Sequence, residues 1–214
     1  KKLTDLGQVF DQNLAETLSI KIKPEQLVGL SEQYIAQHQP DTEGVIHITT
    51  DYPNLVPFMR DAKDRDAALE LYTLNANRCL ANLPLLKEMI ALRRQKAALL
   101  GHSTWADYVL EPRMAKDAKT VEAFLNDLHQ GLITPREKEF AIFDELAQRL
   151  ELPHGNQLRA SDSSYLNEKA TQERFQLDGQ ILSQYFEVNA VKHGILRVIE
   201  DLYNVRFEEQ PKQG

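Results

Sequence analysis

The sequence predicts a mainly α fold: an irregular multi-helix body with a minor β element near residues 45–50. Three observations carry this. Apolar residues recur at three- and four-residue spacing along most of the 214 positions, one β-branched run stands apart from them, and several prolines sit where first helical turns begin.

Taken in order, Leu3, Leu6, Val9, Phe10, Leu14 and Leu18 hold helical spacing almost from the first residue. Only Lys1-Lys2 precedes them, with no capping Ser, Thr, Asp or Asn, so the chain reads as one cut inside or just before a helix. Pro24 opens a second stretch with Leu27, Leu30, Tyr34 and Ile35. Gly44 then leads into Val45-Ile46-His47-Ile48-Thr49-Thr50, the best strand in the sequence. Tyr52-Pro53 and Val56-Pro57 predict a turn and a short helix.

Residues 64–81 read as one helix, with the lone Cys79 as a small buried hydrophobe inside it. Pro84 starts another, over 84–100. Leu85, Met89, Leu92 and Leu99 form one stripe, and Leu86, Ile90, Ala97 and Leu100 an adjacent one. So wide an apolar face predicts burial between several neighbours, and the segment from Pro84 to Leu128 is expected to be the best packed. Gly101 is the stop signal, and Ser103 the cap of a short helix bearing Trp105, Tyr108 and Val109, with the two aromatics as core anchors.

A helix over 120–132 carries Val121, Phe124, Leu125, Leu128 and Leu132. Thr134-Pro135-Arg136-Glu137 combines a cap, a first-turn proline and a capping-box Glu, predicting a fresh helix over 135–150 that buries Phe140, Phe143, Leu146, Ala147 and Leu150. The polar segment 153–164, with Gly155 and three serines, reads as a soft loop. Beyond it Asp178 caps a short helix, and Asn189 caps one over 190–203 with Val191, Ile195, Val198, Ile199 and Leu202 inward. Val205-Arg206-Phe207 reads as a short terminal strand. No repeat period and no linker divides the chain, so residues 1–214 read as one helical body.

Composition narrows the function. A net charge of −7 with no basic stripe argues against nucleic acid as partner. One cysteine excludes an internal disulfide framework, and no run of 18 apolar residues offers a membrane span. With no signal-peptide core at the start, a cytoplasmic or organelle-matrix setting is expected.

A search for chemistry finds no complete site. His38, His47, His102, His129, His154 and His193 include no i,i+4 pair, and none is followed by Glu, so the HExxH arrangement that puts two imidazoles and a base on one metal is missing. There is no GxGxxG, no GxxxxGK[ST] and no GxSxG. Glu208-Glu209 and Asp64/Asp66 read as solvated surface, Ser161, Ser163 and Ser164 as turn residues, and Arg93-Arg94 as ion-pair partners of a neighbouring helix. No catalytic or metal residue is named, and no substrate-binding residue can be.

Several strings nonetheless point one way. Leu92-Arg93, Ala97, Leu99-Leu100-Gly101, Trp105-Ala106-Asp107-Tyr108, Met114-Ala115 and Phe124-Leu125-Asn126-Asp127-Leu128 resemble, in order and spacing, a pattern of the thimet oligopeptidase, oligopeptidase A and dipeptidyl carboxypeptidase family of zinc metallopeptidases. The segments Phe10–Leu18, His47–Met59 and Arg174–Glu209 are also similar to that family. Where it usually has Trp-Asp before a Tyr-Tyr pair, this chain has Ser161-Asp162-Ser163-Ser164-Tyr165-Leu166. The family's HExxH helix, third Glu ligand and Tyr/His loop would lie beyond Gly214.

The resemblance implies a helical, non-catalytic piece of an enzyme that hydrolyses short oligopeptides, walling its substrate channel. Zinc would belong to the complete parent, with none expected on this chain; short peptides and the C-terminal catalytic part would be its partners. The alternative is a stand-alone helical binding or regulatory module without peptidase activity, and a scaffold with chance similarity is a third reading. A fragment of this kind would leave apolar helix faces uncovered, forfeiting on the order of 5 kcal/mol of burial.

Overall fold

The computed structural model describes residues 1–153, 157–176 and 179–208, and divides into two compact units, Lys1–Ala170 and Thr171–Gly214. Helices dominate both, and the mainly α reading holds.

The first unit begins with α1 (Lys2–Leu14), which stops before Leu18, so that the last apolar position of the expected stripe is not helical. Instead Ser19–Ile22 forms a strand, β1, that periodicity did not single out. It pairs antiparallel with β2 (Ile46–Thr49), with Ile20 opposite Ile48 and Ile22 opposite Ile46. All four isoleucines point to one face and are buried, while Lys21 and His47 point away. A two-stranded ribbon is marginal by itself. Here α2 (Glu32–Gln37), α3 (Tyr52–Asp61) and α4 (Arg65–Ala76) cover its apolar face with Tyr34, Leu55, Phe58, Ala68 and Leu71, completing the main core. That core lies within residues 20–71, not in the segment from Pro84 to Leu128. The reason is layering: only a sheet face roofed by several helices buries side chains from every direction.

Polar contacts fix the corners of this core. Ser31 caps α2 and Asp64 caps α4, and Asp64 also accepts 2.8 Å from Gln26 Nε2, so it is a structural acid, not a solvated one. After β2, Thr49 Oγ1 donates to Asp51, and Asn54 Nδ2 donates to Thr49 Oγ1 (2.7 Å) and to both Asp51 oxygens. Asn54 in turn joins His38 Nε2 at 2.8 Å, and its carbonyl accepts from the Tyr34 hydroxyl. Burial holds that phenol protonated, well above the usual tyrosine range. Gly29 adopts φ +102°, and a Cβ there would stand 2.3 Å from the Asp61 carbonyl oxygen. Close approach, with Lys63 N–H bonding the Val28 carbonyl at 2.9 Å, requires glycine.

The turn from α4 into α5 (Asn82–Leu99) breaks the helix expected over 64–81. Cys79 sits there in left-handed backbone, φ +64°, with its thiol 2.8 Å from the Asn13 carbonyl, and is half-exposed, not buried in a helix. Of the two α5 stripes, Met89 and Ala97 are buried, whereas Ile90, Leu99 and Leu100 are exposed. Among the described residues, α1 and α6 (Trp105–Leu110) make its main packing. Thr104, not Ser103, caps α6, accepting from Asp107 N–H, while Ser103 Oγ bonds the Asp107 carboxylate.

The helix start expected at Pro135 does not occur. α7 runs unbroken from Ala118 to Arg149, capped by Asp117, with Pro135 inside it. A proline there removes one backbone bond, to Gly131, and costs roughly 3 kcal/mol. The good helix formers on both sides outweigh the local cap signal of Thr134. Its apolar stripe is exposed at Phe124, Leu125, Leu128 and Leu132, and buried only near the end, where Leu146 and Ala147 meet Leu166 of α8 (Ser163–Phe175).

The expected soft loop at 153–164 contains the firmest anchor in the unit. Ser161 and Asp162 are buried in a short 3-10 turn, and Asp162 takes an ion pair from Arg65 Nε at 3.0 Å. Arg65 also donates to the carbonyls of Ala62 (3.1 Å), Met59 (3.4 Å) and Ser161, and its guanidinium lies over the Tyr165 ring at 4.7 Å. The polar composition of the segment predicts a loop because it does not reveal a partner 97 positions away.

In the second unit α9 (Gly179–Ser183) precedes α10 (Val188–Tyr203). Glu187, not Asn189, caps α10, accepting from Ala190 N–H at 2.8 Å. Val191, Ile195, Val198 and Leu202 are exposed, between 37% and 73%, where burial was expected. The stripe is correct for a helix, but no described residue of this unit forms a second layer over it. Residues 205–207 form no strand; Asn204 ends α10 in left-handed backbone and Phe207 N–H bonds Glu200 instead. Asp178, His154, Gly155 and Glu209 lie outside the described residues.

Three outcomes test this architecture. Arg65→Met should cost about 3–5 kcal/mol in urea unfolding by stranding a buried carboxylate. Arg65→Met with Asp162→Leu should recover part of that loss, since no charge is then left unpaired. Gly29→Ala should cost more than about 1 kcal/mol in the same assay.

The Asp51 carboxyl is held below its ordinary value, first by the Thr49 hydroxyl and then by Asn54. Its contribution is therefore full above the ordinary pKa of 3.8 and is lost as pH falls below it. Acid titration of thermal stability should be shallower in Asp51→Asn than in the wild type below about pH 4.

Candidate functional site

Each described histidine of the first unit has a local partner or stands apart. His38 Nδ1 meets the Tyr34 carbonyl at 2.7 Å and its ring stacks on Tyr34 at 4.1 Å. His47 lies 3.2 Å from Asp41, and His102 3.5 Å from Glu111. His129 stands exposed on α7, beside a notch formed with Pro135 and Arg136. In the second unit His193 bonds the Asn189 carbonyl at 2.7 Å, one turn back in α10. Among the described residues no group of three or more His, Cys, Asp or Glu side chains converges as metal ligands do. The described residues offer no set of ligands for a zinc ion.

Arg93 behaves differently from the expected ion-pair partner. Its guanidinium lies 5.8 Å from the Trp105 ring centroid, and among the described residues its buried Nε–H meets no acceptor. Lys96 approaches both Trp105 (5.6 Å) and Tyr108 (5.3 Å). The two aromatics are half-buried and hold α6 on the end of α5 through cation–π contacts, so they are not core anchors. Arg94 is exposed.

A concavity lies between α1 and α5. The helices run antiparallel: Asn82 at the start of α5 bonds Asn13 (2.7 Å) and the Phe10 carbonyl (3.0 Å), while Glu88 pairs with Lys2 at 2.6 Å. Arg93, more than a turn beyond Glu88, therefore sits beside the first turn of α1, and Asp11 lies toward the opposite end. Leu3, Gly7 and Phe10 form one row of α1, Thr4, Gln8 and Asp11 the next, and Leu86, Met89 and Arg93 face them from α5. The hollow has a volume of about 570 Å³. Its middle is open because Gly7 has no side chain; an added Cβ there would meet nothing within 4 Å. Glycine inside a helix costs about 0.5–1 kcal/mol relative to alanine, and here no tight backbone approach requires it. The sequence signal for this hollow is a glycine inside the apolar period of α1, but spacing alone does not show that it faces a second helix.

A smaller hollow of about 350 Å³ lies near Asp51, Tyr52 and Arg78. Its carboxylate already accepts from Thr49 and Asn54, so it has less capacity left for a ligand.

Residues 58–214 match the model of Peptidase family M3. The chain is 29% identical to saccharolysin of Saccharomyces cerevisiae over 220 residues, covering 98% of this chain and 31% of saccharolysin. It is 26% identical to a probable thimet oligopeptidase of Arabidopsis thaliana, covering 97% of this chain and 29% of that protein. Against oligopeptidase A of Escherichia coli it is 25% identical, covering 98% and 33%. The chain thus spans about a third of the length of the curated relatives it matches. No helix among the described residues is long and apolar enough to cross a membrane. With nearly three quarters of its length matched, the chain belongs to peptidase family M3, a family of zinc metallopeptidases.

Proposed function

We propose that this chain is a non-catalytic helical segment of a zinc metallopeptidase that hydrolyses short oligopeptides, and that its helices wall the substrate channel. The carrying observation is the family match over residues 58–214, with relatives named as oligopeptidases aligned along almost the entire chain. The exposed apolar faces support it. Phe124, Leu125, Leu128 and Leu132 on α7 lie open, as do Ile195, Val198 and Leu202 on α10. Fully burying such a side chain contributes about 1.5–3 kcal/mol, enough to join further protein to these faces.

In this reading the chain's residues do no bond-breaking. They bind and exclude: rigid helices limit access to unstructured peptides, and a concave polar–apolar surface holds them. Zinc, in the complete enzyme, would supply an activated water to the scissile carbonyl. The C-terminal catalytic part and short peptides are the partners, and a cytoplasmic or organelle-matrix setting is the compartment we propose.

The test compares the 214-residue chain with the full-length gene product on an internally quenched nonapeptide. Chelator-sensitive hydrolysis is expected from the full-length product and not from the chain. Turnover that follows the isolated chain through chromatography would overturn the non-catalytic assignment. A full-length product without chelator-sensitive turnover would favour a binding or regulatory module.

A further inference from the structure

We propose that the hollow between α1 and α5 is a binding subsite for the C-terminal end of a short peptide, with Arg93 as the cation that receives its carboxylate. The proposal rests on the peptide-channel reading above and assigns that channel a specific contact on this chain.

Arg93 lines the hollow, its Nε–H is buried, and among the described residues no acceptor meets that group. Its neighbour on the other side is an aromatic face, which attracts a cation but takes no directed hydrogen bond from Nε. A guanidinium so placed favours a planar anion able to accept two parallel N–H bonds, which is a carboxylate.

Shape and polarity narrow the ligand. A volume of about 570 Å³ is within the range of small-molecule sites. The antiparallel packing puts Arg93 near Leu3 and leaves Asp11 eight residues farther along α1, about 12 Å at 1.5 Å per residue. An extended chain advances about 3.3–3.6 Å per residue, so three or four residues fill this span. Between the two charges lie Met89, Leu86 and Phe10, which suit apolar side chains, and Thr4 and Gln8, which can bond a peptide backbone. Carboxylate at Arg93 and ammonium at Asp11 match a short zwitterionic peptide in length and in sign. The absent side chain at Gly7 supplies the depth.

Titration calorimetry on the 214-residue chain tests this, with a tetrapeptide of alanine and leucine bearing free termini and with its C-terminal amide. Amidation should weaken binding about tenfold or more, as expected for a lost charge-assisted contact. Arg93→Gln should reduce the free peptide to the affinity of the amide while leaving the amide unchanged. Gly7→Leu should abolish binding of both with an unaltered helical circular-dichroism spectrum, and exposed Arg94→Gln should change neither. Equal binding of the free and amidated peptides, no binding of either, or an Arg93→Gln chain that binds like the wild type would overturn the subsite. Chelator-sensitive turnover by the full-length product separates the two proposals. If it persists while the tetrapeptide shows no carboxylate preference, the subsite fails and the channel-wall reading stands.

Discussion

Much of the first unit depends on where one guanidinium is held. Arg65 is fully buried at the start of α4, and its donors reach the end of α3, the turn before α4, and the Ser161–Asp162 turn that begins α8. It joins the sheet-and-helix core of residues 20–71 to a second cluster where α7 ends against Leu166. A buried ion pair is a weak source of net stability, because two charges must leave water to form it. Its effect is specificity: with donors and acceptors matched in several directions, other placements of the 159–166 segment leave a charge unpaired.

This distribution of order explains which surfaces remain open. Residues near the two-stranded sheet are covered from several sides, so their apolar faces are used up within the unit. α5 packs mainly against α1 and α6, and α7 against α6 and, through its last turns, against Leu166, while apolar residues on both, among them Ile90, Leu99, Phe124, Leu128 and Leu132, stay exposed. In a family whose members extend to about three times this length, such rows are natural joints to further protein.

The hollow between α1 and α5 differs from those rows in kind. An apolar stripe asks only for another apolar surface, whereas Arg93 asks for an anion in a particular direction. The contrast with Arg65 is instructive. Both are arginines on helices beside an aromatic ring, at 4.7 Å from Tyr165 and 5.8 Å from Trp105. Arg65 has its carboxylate supplied by Asp162, whereas among the described residues Arg93 is paired with none.

What the sequence determined by itself was the class and the local elements. The 3.6-residue period located most helices, the β-branched run located β2, and the strings from Leu92 to Leu128 pointed to the family. These features depend on neighbours within a few positions, where backbone geometry and side-chain spacing decide the outcome. The errors share the opposite property. Periodicity does not single out β1, because four residues are too few for a period and its identity comes from pairing with β2, 24 to 30 positions on. Pro135 reads as a helix start because the cost of holding it inside α7 is decided by the whole helix, not by the cap signal beside it. Asp162 was placed in a loop because its partner, Arg65, is distant in sequence, and the apolar rows of α7 and α10 were placed inside because periodicity shows that a face exists but not what covers it. Only the tertiary structure settled which polar groups are paired and which faces are open, because pairing and burial are set by chain segments that sequence spacing does not bring together.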